Sequence, residues 1–464
     1  MAARVLRQTT VVSILCALAL AGASCGGAGV GTPSLGGGTS TGSASIFITD
    51  QPAADLVKLE LTVTSIVFNP GNVSVLPQPK ELEVTSLQMK QELFRLASNI
   101  PAGSYTSITF TFAPTAEVEF FNSGTGSIQE VNVPVSPASV TVNVNFMISQ
   151  GQTTGLLIDF NLPGSLVTNA QGIITSINPM LTAIVVTPLP DEFEEEAGRV
   201  VSVSPTSTTA GTFVLELFDS CQQVTITVSA NTEFEDFDEA VPPLPNTFAS
   251  LMAGQVVEVD ADLQANGTLL AKEVELEDDD IEDEAEGLIV SVTRNGSDEV
   301  TQFMMVPFEI APCSAAVPTA NTITVTVPSS GVEFRIDKED LPVSNNLFDN
   351  RTKLDVGQRV DVDPTGSLSS GTTAITAEEI KLKDQTIRGT VISILPPTFR
   401  LDPSSDLFPD QDIVVLTFNN TEFDNPPGSI AGLAGGDKVR VRGLLFRLGP
   451  GQHQFAAKHV REDP

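Results

Sequence analysis

A serine framed by glycines, Gly38-Thr39-Ser40-Thr41-Gly42, has the spacing of a nucleophile elbow, in which a strained turn lifts a hydroxyl toward an acyl carbon. That chemistry needs a strand before the serine and a helix after it. Here the motif lies in a run of Gly, Ser and Thr, whose composition alone generates such spacing. The histidines His453 and His459 offer imidazoles, but six residues on one strand separate them by about 20 Å, too far to share a metal. They read as exposed strand residues. The acidic run from Asp278 to Glu284 offers hard oxygens for calcium, with Asp278, Asp280 and Glu282 as weak ligand candidates. Asp283 stands where an EF-hand loop carries glycine, so the run reads first as a solvated linker. Carboxylate pairs for glycoside hydrolysis abound, yet the chain has no Trp and one Tyr, which leaves little aromatic surface for stacking sugars. Lys438, Arg440 and Arg442 alternate along one strand and read as a solvated barrel face more than as an anion site. No catalytic residue and no cofactor follows from these patterns, and the chain reads as a non-enzyme.

The elements that would carry any chemistry begin after an N-terminal address. Arg4 and Arg7 precede an apolar stretch, Val11 to Ala21, that is too short to span a bilayer and reads as a signal peptide over residues 1–24. Ala21-Gly22-Ala23 fits ordinary cleavage, whereas Gly22-Ala23-Ser24-Cys25 resembles a bacterial lipobox with Cys25 as the lipidated residue, Gly22 replacing its usual large aliphatic. Residues 25–45 are rich in Gly, Ser and Thr and read as a flexible tether. The expected location is a bacterial outer membrane or cell surface, reached through a lipid anchor, or the medium if cleavage is ordinary. Two further thiols, Cys221 and Cys313, fall in corresponding regions of neighbouring units, and in an oxidising compartment they predict a disulfide.

Alternating Val, Ile, Thr and Phe segments, with Gly and Pro between them and little helical periodicity, make the class all-β. The net charge of −34 is uneven: residues 191–286 carry −23 and residues 386–464 only −1. The runs Asp191 to Glu196 and Glu273 to Glu286 read as self-repelling, solvated junctions. Such a sign opposes binding to nucleic acid.

Three units repeat the same landmarks in order. Each opens on glycine and an alternating strand, at Gly198 to Val203, Gly287 to Val292 and Gly389 to Ile394. A Val/Ile/Thr strand follows, then a Glu-Phe pair at Glu233-Phe234, Glu333-Phe334 and Glu422-Phe423. Next comes Leu-x-x-Gly-(Gln/Asp)-x-Val-x-Val around Gly254, Gly357 and Gly436, and finally a strand containing Ala. The expected layout is an N-terminal β-sandwich-like domain over 46–190, barrel modules of OB-like type over 197–277, 287–384 and 386–463, and an acidic linker over 278–286. In the first domain, Leu59, Leu61, Val63, Ser65 and Val67 alternate, and Tyr105 reads as a turn-side residue whose hydroxyl ties back to backbone.

The repeated landmarks resemble an uncharacterised family of small β modules found in tandem in exported bacterial proteins. Ile46 to Pro52, Leu61 to Phe68 and Ile100 to Ile108 are similar to another uncharacterised domain of bacterial lipoproteins, which has Asp-Ala-Pro where Asp50-Gln51-Pro52 stands. The resemblance implies architecture and location and brings no activity. The functional expectation is a non-catalytic envelope binding or spacer protein with an unidentified envelope or extracellular partner. The alternatives are an extracytoplasmic hydrolase with its site in the first domain, or a calcium-dependent adhesin.

Overall fold

The computed structural model describes residues 40–50, 56–87, 92–122, 125, 127–169, 173–187, 193, 196–218, 223–237, 242–264, 268–277, 283–311, 322–338, 341–369, 371–405, 407–408, 412–424 and 426–462. The signal peptide, Cys25, Cys221, Cys313, Asp278, Asp280 and Glu282 lie outside the described residues. No described helix is long and apolar enough to cross a membrane.

The N-terminal domain is built from two main sheets around one core. A four-stranded sheet places Thr41–Asp50 between Glu92–Pro101 and Thr153–Phe160, with Leu181–Val186 at its edge. The facing sheet is centred on the long strand Leu56–Asn69. One flank of that strand is paired along its length by Gly103–Phe112 and then Thr115–Asn122, and the other by Val73–Ser74 and Lys80–Glu83. Ile46, Phe94 and Ile158 from the first sheet meet Leu59, Ile66 and Phe110 from the second, the two-layer arrangement that alternating burial dictates. The strand Thr41–Asp50 starts inside the stretch read as tether. Its small residues are packed, with Ala44 and Ser45 fully buried, and a Cβ at Gly42 would lie 2.2 Å from the Ser149 carbonyl oxygen. Small side chains here mark close approach, not flexibility. Tyr105 is buried and its hydroxyl donates to the Pro101 carbonyl at 2.8 Å.

Three closed five-stranded barrels follow. Their opening strands are Glu196–Pro205, Glu284–Arg294 and Gln385–Leu395. The second and third strands are Gly211–Leu217 and Gln223–Val228, Val300–Ala311 and Ile323–Thr326, and Thr398–Pro403 and Ile413–Leu416. Fifth and closing strands are Val256–Leu263 and Leu269–Leu276, Arg359–Pro364 and Ala374–Leu382, and Lys438–Gly449 and Gln452–Glu462. In each, the order is third, second, opening, fifth, closing, and the ring shuts where the third strand pairs in parallel with the closing one. That is the strand order of an OB-type barrel. The Glu-Phe pairs are short fourth strands lying parallel to the closing strand just beyond the third.

The sequence landmarks have steric causes. At Gly198, Gly287 and Gly389 a Cβ would sit 2.5, 2.3 and 2.4 Å from a carbonyl oxygen of the neighbouring second strand. Each opening strand then bulges, at Val200/Ser202, Ile289/Ser291 and Val391/Ser393, which sharpens its bend around the ring. The later glycines Gly254, Gly357 and Gly436 have positive φ and donate back to Val200, Ile289 and Val391. The residue after each accepts from a turn N–H at 2.6 Å: Gln255 from Met252, Gln358 from Asp355 and Asp437 from Ala434. In all three units a side-chain carbonyl or carboxylate oxygen closes the turn in this way.

The junctions are tighter than their charge suggests. Phe193, inside the first acidic run, is buried in the first barrel's core and accepts a hydrogen bond from Ala261 N–H. In the run read as a linker over 278–286, Glu284, Ala285 and Glu286 belong to the second barrel's opening strand, and Asp283 accepts from Leu368 N–H at 2.6 Å. Ladder bonds and apolar contacts overcome the mutual repulsion of these carboxylates.

Candidate functional site

In each barrel the fifth and closing strands run antiparallel side by side, and alternation sends every second side chain outward. The barrels share this frame, so the outward residues can be read across the three. In the first, Glu258 stands directly opposite Glu275, and Asp260 opposite Glu273. In the second, Asp361 stands opposite Lys381, and Asp363 opposite Glu379. In the third, Arg440 stands opposite Arg461, and Arg442 opposite His459. One face on one scaffold thus runs from acidic through mixed to basic.

On the first barrel, carboxylate oxygens of Glu258, Glu275 and Glu277 lie within 4.8 Å of one another, the spacing a hard cation bridges. Partial burial, a hydrogen bond with Asp236 and the charges of Glu277 and Glu258 push Glu275 up to about 7. Asp236 itself sits at φ 61 beside the short fourth strand.

Barrel two gathers Glu284, Asp361 and Asp363 in the same way, with Lys383 and Lys381 acting on Asp361. Burial alone would lower the pKa of Lys383. Asp337, 2.6 Å away, together with Glu286 and Asp361, outweighs that and holds the ammonium charged. Burial, then Asp361 and Glu379, push Asp363 up to about 7. Arg359 pairs with Glu286 and lies over the Phe308 ring.

The basic stripe of barrel three departs from its reading as a solvated face. Lys438 is exposed, Arg440 is only 2% exposed, and Arg442 is anchored on Asp384 at 2.6 Å. Long aliphatic stems allow guanidinium groups to be covered in this way. The histidines also differ from expectation. His453 is buried, with its ring edge-on to Phe408 and Nε2 3.2 Å from Asp355; His459 Nε2 lies 2.8 Å from Asp424. The second barrel supplies Asp355, and its seam with the third is what takes His453 out of water.

That seam is a polar clamp beside an apolar plug. Leu444, Phe446 and Ala456 of the third barrel belong to the second barrel's core. Alongside them Asp355 receives Arg294 at 3.1 Å, Arg447 at 3.1 Å and His453. Arg447 also donates to Thr352 O at 2.6 Å and reaches Asp298 at 2.8 Å, and Gln358 donates to Leu445 O at 3.0 Å. Burial opposes the charge on Asp355, but the hydrogen bond and charge of His453, the charge of Arg294 and the Val356 N–H hold it below the ordinary Asp range. The equivalent turn positions in the other units are Met252 and Ala434. An acid confined to one copy of a repeated turn was the available signal for the clamp.

A further cluster lies in the N-terminal domain, on the outward face of the strands Leu56–Asn69, Thr115–Asn122 and Ser127–Pro134. Glu119 stands opposite Lys58 on one side and Glu130 on the other, and Glu117 stands opposite Glu60. Glu119 is fully buried, and burial pushes it up to about 8 despite Lys58 nearby. Alternation alone places these residues outward and exposed, so the sequence reading missed them.

The architecture is that of a sandwich domain followed by tandem OB-type barrels. Residues 41–175 match the model of a domain of unknown function (DUF4382), and residues 171–275 match a second domain of unknown function (DUF5666), which takes in nearly all of the first barrel. No curated protein matches the chain. Among solved structures, "drosophila Unr CSD456" is similar at 12% identity, over 58% of this chain and 97% of that one, with a TM-score of 0.13, too low to argue from.

Proposed function

We propose that this chain is an exported, lipid-anchored bacterial protein that binds a partner at the cell envelope without catalysis, and that the outward face of the first barrel is its contact surface. The observation that carries the reading is the difference between equivalent faces. Barrels two and three place cationic side chains at the positions where barrel one has Glu275 and Glu277 or Glu258, so the acidity of barrel one is a property of that surface and not of the scaffold. A concentrated field of one sign accelerates and selects encounters with partners of the other sign. The partner class is therefore cationic. The clamp and plug between barrels two and three support a stand-off role, because they join two modules into one stiff element. Arg4, Arg7, the apolar stretch after them and Cys25 support export and anchoring.

An oligolysine probe tests the surface on the full chain. Binding is expected to weaken with salt and to fall in the triple variant Glu258→Gln, Glu275→Gln, Glu277→Gln; equal binding by that variant overturns the assignment. For the anchor, Cys25→Ser is expected to move the chain from the membrane to the soluble fraction, and unchanged membrane retention overturns it.

A further inference from the structure

Most charged groups near Glu119 have partners of their own. Lys58 directs its ammonium to Glu60 at 2.5 Å. Glu83 accepts from Leu59 N–H at 3.0 Å, Thr85 N–H at 3.1 Å and the Thr85 hydroxyl. Glu119 differs: neither of its oxygens has a hydrogen-bond partner, although the residue is fully buried. Leaving a buried carboxyl without hydrogen-bond partners is unfavourable, and more so if it is charged. The groups around it are Lys58 and Glu60 on the central strand, Glu117 on its own strand and Glu130 on the next. Four of the five groups in this patch, Glu119 included, are carboxylates.

We propose that Glu119, with Glu130 and Glu117, forms a binding site for a divalent cation of the calcium or magnesium type on the outward face of the N-terminal sheet. Directly opposed strand residues have Cβ atoms about 5 Å apart, and calcium–oxygen distances are about 2.4 Å, so turning the side chains brings Glu119 and Glu130 to one ion from adjacent strands, although their oxygens are not gathered beforehand with Glu117 as those of Glu258, Glu275 and Glu277 are. Glu117, two residues along the same face, supplies a further oxygen. Glu130 is exposed and Glu117 half-buried, which gives the ion an entry side, while Glu119 forms the floor. An all-oxygen donor set selects hard cations over zinc or copper. Without the ion, a proton neutralises Glu119. Binding exchanges that proton for the cation, so affinity rises with pH until Glu119 is ionised in the free protein. The site is independent of the first-barrel surface described above.

Titration calorimetry of the full chain with calcium chloride and with magnesium chloride at pH 7, in two buffers of different ionisation enthalpy, tests this. Saturable binding is expected, with about one proton released per ion. Glu119→Gln, which keeps shape and removes charge, should weaken binding at least about tenfold and abolish the proton release, and Glu130→Gln should weaken it less. Glu378→Gln, an exposed carboxylate outside both acidic clusters, should leave both unchanged. Wild-type affinity in Glu119→Gln, no saturable binding up to about 10 mM, or loss of binding in Glu378→Gln alone each overturns the proposal.

Discussion

Glu119 in the sandwich and Asp355 in the seam between the second and third barrels are both carboxyls removed from water, and they end in opposite protonation states. Asp355 is met by Arg294, Arg447, His453 and the Val356 N–H, and it is held ionised. Glu119 has a lysine directly across the ladder, but that lysine is spent on Glu60, and the acid is held neutral at pH 7. Proximity of an opposite charge did not decide the outcome. Cationic groups that also hydrogen-bond the carboxylate did, because they supply opposite charge and replace the water that burial removes.

The largest expected effect breaks the comparison at Glu119. Its pKa lies near 8 in the fold against an ordinary value of 4.5, so burying the acid weakens folding progressively as pH rises from about 4.5 to about 8, and the penalty is constant above that. Glu119→Gln should therefore stabilise the chain at pH 8 by up to about 5 kcal/mol, with a gain that shrinks toward zero near pH 4 in denaturant titrations. A flat gain across pH would show that Glu119 is not the titrating group. Asp355→Asn comes next. It leaves two guanidinium groups facing a neutral side chain and should destabilise by about 3 kcal/mol in urea unfolding. In the wild type the Asp355 contribution is complete above about pH 4 and lost as pH falls below its already lowered pKa, the reverse of Glu119. Gly389→Ala tests the frame under the seam: its methyl would press on the Asp402 carbonyl, and a loss of about 2 kcal/mol in thermal or urea unfolding is expected. The smallest is Tyr105→Phe, which deprives a single backbone carbonyl of its donor and should cost about 1 kcal/mol by the same measurement.

The barrels were legible because alternation within a small ring separates inside from outside. Val257 and Val259, Val360 and Val362, and Val439 and Val441 all point inward as their spacing predicts. Tyr105 was legible because a lone tyrosine beside a turn has few uses for its hydroxyl. What alternation does not report is what lies beyond a barrel's own wall. Val256 faces outward and is nevertheless buried, clustered with Ala311 of the second barrel, and His453 is covered where it meets Asp355 of the second barrel. The acidic runs misled in the opposite sense, since composition gave their charge and not the ladder positions of Glu284 and Glu286. Glu119 combines both failures: an outward position by period, and a charged residue type that normally marks solvent.

The plug formed by Leu444, Phe446 and Ala456 also bears on the order in which the chain matures. A ribosome delivers the second barrel's closing strand at Leu382, so its ring can shut early, but the apolar end of its core is not covered until the stretch ending at Ala456 has emerged. Without the roughly seventy residues that follow Leu382, a closed second barrel would carry an uncovered apolar end. Nascent chains halted before Leu444 should hold that barrel in a state that sticks to chaperones, and release past Ala456 should end the attachment.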